Sequence, residues 1–353
     1  MPWTELRENR TTTGLDADVI SRRISFRDAL LEATAEMLAS DPSVIVMGEG
    51  VDDSQGVFGT TAGLKDRFGA DRVFDVPLAE NGMTGIAIGA SIAGLRPVFV
   101  HMRNDFLLTA MDQIANHAAK WSYMFNSRLH VPLTIRAVIG RGWGSGAQHS
   151  QALHSLFAHI PGLKVVLPST PFDAKGLLMA SILDDNPVIF IEHRWLYDKQ
   201  GHVPEAPYAV PIGKANILRP GKDLTIAAIS YMALEAMMAA EELAKKGIDA
   251  EVIDLRTIAP LDAGLIIESV KKTGRLVVAD VGWIFASIAS EITALVAENA
   301  LKSLRSAPVR IGLPHLPAPA CHSLERAYYP DKGNIIDAVN RALGNGKQEK
   351  NEP

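Results

Sequence analysis

The sequence has 353 residues, 47% of them hydrophobic, with 28 glycines, one cysteine and a net charge of −5. Single cores stop growing at roughly 250 to 300 residues, so a chain of this size is expected to fold as two units. Its interspersed charges make no broad basic field for a phosphate backbone, which argues against nucleic acid, and lone Cys321 excludes an internal disulfide or a cysteine-based zinc cluster, in keeping with a reducing cytoplasm.

Residues 1–23 mix charge and threonine without the apolar run of a secretory signal and read as an arm. Ser25 then reads as the N-cap of a helix carrying Phe26, Leu30, Ala33 and Met37 on one face, followed by the buried strand SVIVMGEG at 43–50. Strand-like runs recur at 72–76 (RVFDV), 96–102 (RPVFVHM), 132–140 (PLTIRAVIG), 163–169 (LKVVLPS) and 187–192 (PVIFIE), with helical patterns between most of them. Runs rich in Val and Ile, without polar alternation, predict strands buried on both faces and hence a parallel sheet.

The Pro- and Gly-rich stretch around 206–221 reads as a linker. Beyond it the strand–helix alternation resumes, with strands at 223–230, 250–255, 275–280 and 308–313 and helices at 231–247, 262–273 and 284–301. The expected division is therefore a first α/β unit over 24–205, a smaller one over 222–342 and a polar tail over 343–353. No stretch approaches the roughly 18 uninterrupted apolar residues of a membrane span, and no membrane association is expected.

Several residues are candidates for chemistry. In DVPLAENG (75–82) a carboxylate, Glu80, stands where a strand hands over to a helix. Strand carboxyl ends face the ligand crevice of an α/β sheet, yet a first-turn Glu also simply complements the helix dipole, so both readings stay open. Gly82, Gly85 and Gly89 follow, each costing about 1 kcal/mol relative to Ala in a helix interior, which predicts close approach by another backbone or a ligand. In GRGWGSGAQHSQ (140–151), Gly142, Gly144 and Ala147 meet a dinucleotide fingerprint only in its permissive form, and the next strand lacks the acidic residue that would hold a ribose. His149, His154 and His159 are five apart, a rotation of about 140° per step on a helix, which disfavours a metal trio. His149 is the better acid–base candidate, while His154 and His159 read as packed among Leu153, Leu156, Phe157 and Ile160 with one ring nitrogen satisfied.

Taken together, VIVMGEGV, RVFDVPLAENG, GIAIGASIAGLRPV, MDQIANHAAK, GAQHSQ, HIPGLKVVLPSTPFDAKGLL, DDNPVIFIE and AEVIDLRTIAPLD are recognisable. In this order they resemble the beta subunit of the thiamine-diphosphate-dependent decarboxylating component of 2-oxo acid dehydrogenase complexes, over roughly residues 24–342. The resemblance implies a transketolase-like α/β fold, a pyrimidine-binding parallel-sheet domain followed by a smaller C-terminal domain. It implies that Glu80 holds a ring nitrogen of the thiamine aminopyrimidine and switches its protonation, that Met102 and Phe106 line that ring, and that His149 handles protons and acyl transfer at the active-site mouth. Leu133, Ser181, Ile182, Asp184 and Asn186 match positions that surround a potassium ion in some members. The sequence has no Gly-Asp-Gly motif for Mg²⁺ and diphosphate, so an alpha subunit carrying that motif is implied, in an α2β2 heterotetramer that docks on a lipoyl acyltransferase core.

The sequence departs from the family pattern at Arg103-Asn104-Asp105 before Phe106, at WSYMFNS (121–127) in place of a segment ending in paired glycines, at Trp143, and at VVADVGWIFAS in the second unit. The expected activity is oxidative decarboxylation of a 2-oxo acid such as pyruvate. Acetoin cleavage, one half of a split transketolase acting on sugar phosphates (with Arg103 and Arg141 as phosphate candidates) and a silent scaffold subunit are the alternatives.

Overall fold

The computed structural model describes residues 21–140 and 144–344; residues 1–20 of the arm, Arg141, Gly142, Trp143 and residues 345–353 of the tail lie outside the described residues. Fourteen strands are described: β1 Ser21–Ser25, β2 Val44–Gly48, β3 Val73–Asp75, β4 Arg96–His101, β5 Thr134–Ile139, β6 Lys164–Val166, β7 Val188–His193, β8 Gln200–Pro204, β9 Asn216–Arg219, β10 Leu224–Ala228, β11 Ala250–Asp254, β12 Thr257–Ala259, β13 Leu276–Trp283 and β14 Val309–Leu313.

The larger sheet has the order β12-β6-β7-β5-β4-β2-β3, parallel except for β12. Every residue of β2, β5 and β7 is buried, as expected of strands covered on both faces. The smaller sheet runs β14-β13-β10-β11-β9, with β9 antiparallel at one edge. An α/β architecture with mainly parallel sheets is what the alternating strands and helices predict, and it is what forms.

Four short strands are not announced by the sequence. β1 and β8 pair antiparallel as a ribbon of their own. β9 forms inside the stretch read as a linker, where Val210 N also donates to Gly176 O and Tyr208 stacks on Phe172 at 4.6 Å, so this connection is packed rather than loose. β12 leaves the second unit and pairs with β6 at the edge of the first sheet.

Helix termini follow side-chain chemistry. Ser25 accepts from Asp28 N to start Phe26–Ser40, whose buried face includes Phe26, Leu30, Ala33 and Met37. Thr170 caps Pro171–Leu183, with proline at the first turn, and the two helices pack together around Lys175. The Lys175 ammonium is buried, and it reaches Glu32 at 2.6 Å, Glu36 at 2.9 Å and the Pro204 carbonyl at 3.2 Å. Removing such a buried cation's partners leaves an uncompensated charge, so the cluster ties the first unit to the start of the connection.

The junction between the units is polar and buried. Ser169 donates to Asp254, and Arg256, at φ +58°, pairs with Asp173 at 2.6 Å. His154 bonds Asp280 of β13 at 2.8 Å with neither side chain exposed, and Ser155 Oγ accepts from Ile288 N at 3.1 Å. His154 is thus packed with one ring nitrogen satisfied, but His159 is exposed at the end of its short helix, because the chain turns outward there.

Candidate active site

In the larger sheet the chain passes from β2 outward to β3, then back across β2 to β4. Strand order therefore reverses between β2 and β4, and a crevice opens at their carboxyl ends, the place where open α/β sheets bind ligands. The backbones are close there. A Cβ at Gly48, the last residue of β2, would fall inside van der Waals contact with the Val100 carbonyl, and Glu49 N donates to that carbonyl at 3.2 Å.

Four side chains converge on this crevice. Glu80 is the first residue of the Glu80–Ile92 helix, half-buried, and Ala79 before it supplies no side-chain cap. Its charge therefore complements unsatisfied amide groups at the helix start, as the dipole reading required. Glu49, after β2, is half-buried and accepts from the Met102 amide; burial first, then the charges of Glu80 and Asp75, raise its pKa from 4.5 to about 7. Met102, after β4, is half-buried beside Gly50. Asp75, at the end of β3, instead accepts from the amides of Gly50 at 3.0 Å, Val51 at 2.7 Å and Asp52 at 3.3 Å, and so fixes the turn that carries Glu49.

Glu49 was not singled out in the sequence. Its only local signal is a carboxylate ending a buried strand, the signal that marked Glu80.

On the other side, Phe106 lies in a 3₁₀ segment, Asn104–Ala110, which continues into a π-helical segment, Asp112–Ala118. Such irregular helix tends to occur at functional sites. Phe106 meets the exposed ring of His149 edge to face, centroids 5.2 Å apart. Glu80 and Met102 on one side, and Phe106 and His149 on the other, are thus joined by the single stretch 102–106. The glycine loop before His149 is backed by the second unit: Gly144, at φ +70°, has room for a Cβ only 2.9 Å from the Ala320 carbonyl.

The glycines behind Glu80 divide. A Cβ at Gly85 would meet Gln113 Oε1 at 3.2 Å, but Gly82 and Gly89 face open space. Close approach within the fold thus holds for Gly85 alone. The outer face instead shows Gly82, Ile86 and Gly89 at helical spacing, with Ile86 58% and neighbouring Leu78 79% exposed.

The positions expected to surround potassium are already bonded within the protein. Leu133 O accepts from Val188 N at 2.9 Å and Ser181 O from Thr134 Oγ1 at 3.0 Å. Arg96 Nη1 donates to the carbonyls of Ile182 at 3.2 Å and Asp184 at 3.1 Å. Asn186 N donates to Asp184 Oδ1 at 2.9 Å, and Lys164 pairs with the same carboxylate. Arg96 and Lys164 already supply positive charge at this cluster.

The chain is similar to known proteins over most of its length. Residues 22–200 match the model of the transketolase pyrimidine binding domain, and residues 213–335 that of the transketolase C-terminal domain. The chain is 45% identical to the acetoin:2,6-dichlorophenolindophenol oxidoreductase subunit beta of Cupriavidus necator, over 93% of this chain and all of that one. The chain belongs to the transketolase-like family of dehydrogenase beta subunits. The beta subunit of the pyruvate dehydrogenase E1 component from Rhizobium meliloti is 43% identical over 90% of this chain and 69% of its own length. A solved split-gene transketolase, an inactive beta4 tetramer, shares the fold with a TM-score of 0.72 at 24% identity, over 92% of this chain and 99% of its own.

The family is associated with thiamine diphosphate, and the donor set suits an aminopyrimidine. Glu80 offers a carboxylate for a ring nitrogen, and half-buried Met102 and Phe106 offer apolar faces for the ring. Among the described residues no helix is long and apolar enough to cross a membrane.

Proposed function

We propose that this chain is the beta subunit of a thiamine-diphosphate-dependent 2-oxo acid dehydrogenase, oxidatively decarboxylating an acid such as pyruvate and passing the acyl group to a lipoyl domain. The observation that carries this reading is Glu80 at the reversal crevice with Glu49 and Met102, in a chain 43% identical to a pyruvate dehydrogenase E1 beta subunit. Acetoin cleavage is the second reading, favoured by the 45% identity to an acetoin oxidoreductase beta subunit along its whole length.

Thiamine diphosphate, when bound, supplies a carbon nucleophile and an electron sink. Glu80 holds and returns a proton at a pyrimidine nitrogen. Glu49, its pKa raised to about 7 by burial and then by the charges of Glu80 and Asp75, is a second carboxyl there that exchanges a proton near neutral pH. Met102 and Phe106 exclude water from the ring, and exposed His149 moves a proton at the mouth.

The pyrimidine half of the site falls to residues 24–205, and 222–342 form the C-terminal domain that docks on the acyltransferase core. Mg²⁺ and the diphosphate fall to an alpha subunit bearing Gly-Asp-Gly, in an α2β2 assembly; the exposed glycine face of the Glu80–Ile92 helix supports such a partner beside the crevice. A potassium ion at Leu133, Ser181, Ile182, Asp184 and Asn186 belongs to the same proposal, using the carbonyl lone pairs that Arg96 leaves. Replacing potassium by tetramethylammonium should then lower the thermal midpoint, and an unchanged midpoint rejects the ion. The assembly is placed in the cytoplasm.

The test is co-expression with an alpha chain carrying Gly-Asp-Gly, followed by assays of pyruvate, branched 2-oxo acids and acetoin with dichlorophenolindophenol as acceptor. Turnover of a 2-oxo acid supports the first reading and of acetoin alone the second. A loaded complex that turns over none of them defeats both.

A further inference from the structure

The residues between Met102 and Phe106 bind the loop that carries His149. Arg103 Nη1 donates to the Gly140 carbonyl at 2.7 Å, gripping the loop where it leaves β5. Asn104 grips the other end twice: its Nδ2 donates to Gln151 O at 2.8 Å and its Oδ1 accepts from Leu153 N at 2.8 Å. Asp105 Oδ1 accepts from Gln151 N at 3.0 Å, while its Oδ2 accepts from Arg103 Nε and Asn104 Nδ2, both at 3.3 Å. All three side chains are buried, at 7%, 0% and 5% exposure, so these bonds are made out of water.

We infer that Arg103, Asn104 and Asp105 are positioning residues for His149, a clasp on both ends of its loop that holds the imidazole against the edge of Phe106. The inference rests on the reading of His149 as the proton-handling group. Its warrant is geometric. One acceptor, Asp105 Oδ2, gathers the donors of the other two, so the three act as a unit, and the next residue is Phe106 itself. His149 is exposed, and among the described residues the one ring partner given for its side chain is the Phe106 edge, while its backbone makes a long bond, His149 N to Gly146 O at 3.4 Å. An exposed side chain with so few contacts takes its place from its loop ends. Displacement by about 1 Å costs on the order of a hundredfold in rate, which gives such anchoring a catalytic consequence.

The test uses the complex assembled with its alpha subunit and loaded with thiamine diphosphate, as wild type, Asn104→Ala, Asn104→Asp, His149→Ala and the double variant Asn104→Ala/His149→Ala. Asn104→Ala should lower kcat/KM by about tenfold to a hundredfold and change the shape of its pH profile. Asn104→Asp keeps the acceptor for Leu153 N but sets a buried carboxylate oxygen against Gln151 O and the Asp105 carboxylate, and should cost at least as much as Asn104→Ala. In the His149→Ala background the Asn104 change should cost less than about threefold, because coupled sites are not additive. An equal loss in both backgrounds, or no loss with His149 present, overturns the clasp.

A second readout is independent of turnover: the ring-current shift that Phe106 imposes on the His149 Cε1 proton, in histidine-labelled protein. Asn104→Ala should move that resonance toward its solvent-exposed value, and an unmoved resonance refutes the inference even if the wild-type complex proves inactive. Inactivity of the wild type itself counts against the proposed function alone.

Discussion

Glu49 and Glu80 lie close enough across the carboxyl ends of the sheet for their charges to oppose each other, and Glu49, chiefly through burial and then through that opposition, keeps its proton up to about pH 7. A carboxyl whose folded pKa exceeds its unfolded one makes the folded state bind the extra proton. Its contribution is fully present below the unfolded value of 4.5 and is lost as pH rises through about 7. With half the group facing solvent, the effect is screened to the order of 1 kcal/mol. Glu49→Gln should therefore be more stable than wild type at pH 8 and flatter between pH 5 and 8. Urea titrations at both pH values check this, and equal slopes for the two proteins would rule it out.

Glu80→Gln keeps the size and half-buried setting of the side chain but removes the proton it exchanges. The fold should survive with an unchanged thermal midpoint. Turnover of the complex should fall at least a hundredfold, within the 10²- to 10⁴-fold range of general acid–base groups. Wild-type turnover in this variant would leave Glu80 as a helix-start charge and nothing more.

Gly48 and Gly89 make opposite predictions. Gly48→Ala forces β2 away from β4 at the crevice, with an overpacking cost of about 1 to 3 kcal/mol and weaker thiamine diphosphate binding, measurable by denaturation and calorimetry. Gly89→Ala adds a methyl to open space and should stabilise the isolated chain by up to about 1 kcal/mol. If the alpha subunit packs on that face, the same methyl reduces co-purification. Undiminished assembly places the partner elsewhere.

At the junction, Asp254 is wholly buried and, chiefly through burial and secondly through the charge of Asp173, has its pKa pushed up to about 7. Arg256 is the cation paired with Asp173 there. Arg256→Ala should cost about 3 to 5 kcal/mol, the usual result of leaving a buried charge unpaired. Adding Asp173→Asn should recover part of that loss. A full, additive loss in the double variant would show that Arg256 acts through packing rather than charge.

What could be read from the sequence tracks how local the cause is. The Phe26–Ser40 helix was readable because its cap and apolar spacing sit within one segment, and the buried strands because Val and Ile runs announce themselves. β12 was not, since three residues without a period become a strand only when β6 is beside them. Glu80, Phe106 and His149 could be singled out through motifs, whereas Glu49 acquires its character from burial and from the charges of Glu80 and Asp75, which come about only once the sheet forms. The segment Asn104–Ala118 winds as 3₁₀ and then π helix, and fits neither the strand period nor the α-helical one. Asn126 and Ser127, where the resemblance leads one to expect paired glycines, adopt the left-handed backbone at φ +53° and +56° without the residue that favours it most.

The antiparallel pairing of β12 with β6 bears on how this chain can be cut. Severed near residue 210, the first unit would lose the strand that closes its sheet and bare the edge of β6, whose Val165 and Val166 are wholly buried in the intact chain. A naked edge of that kind recruits strands from other molecules. The boundary that looks most permissive in the amino-acid composition is thus a poor place to divide the gene, because the first half borrows its last strand from the second.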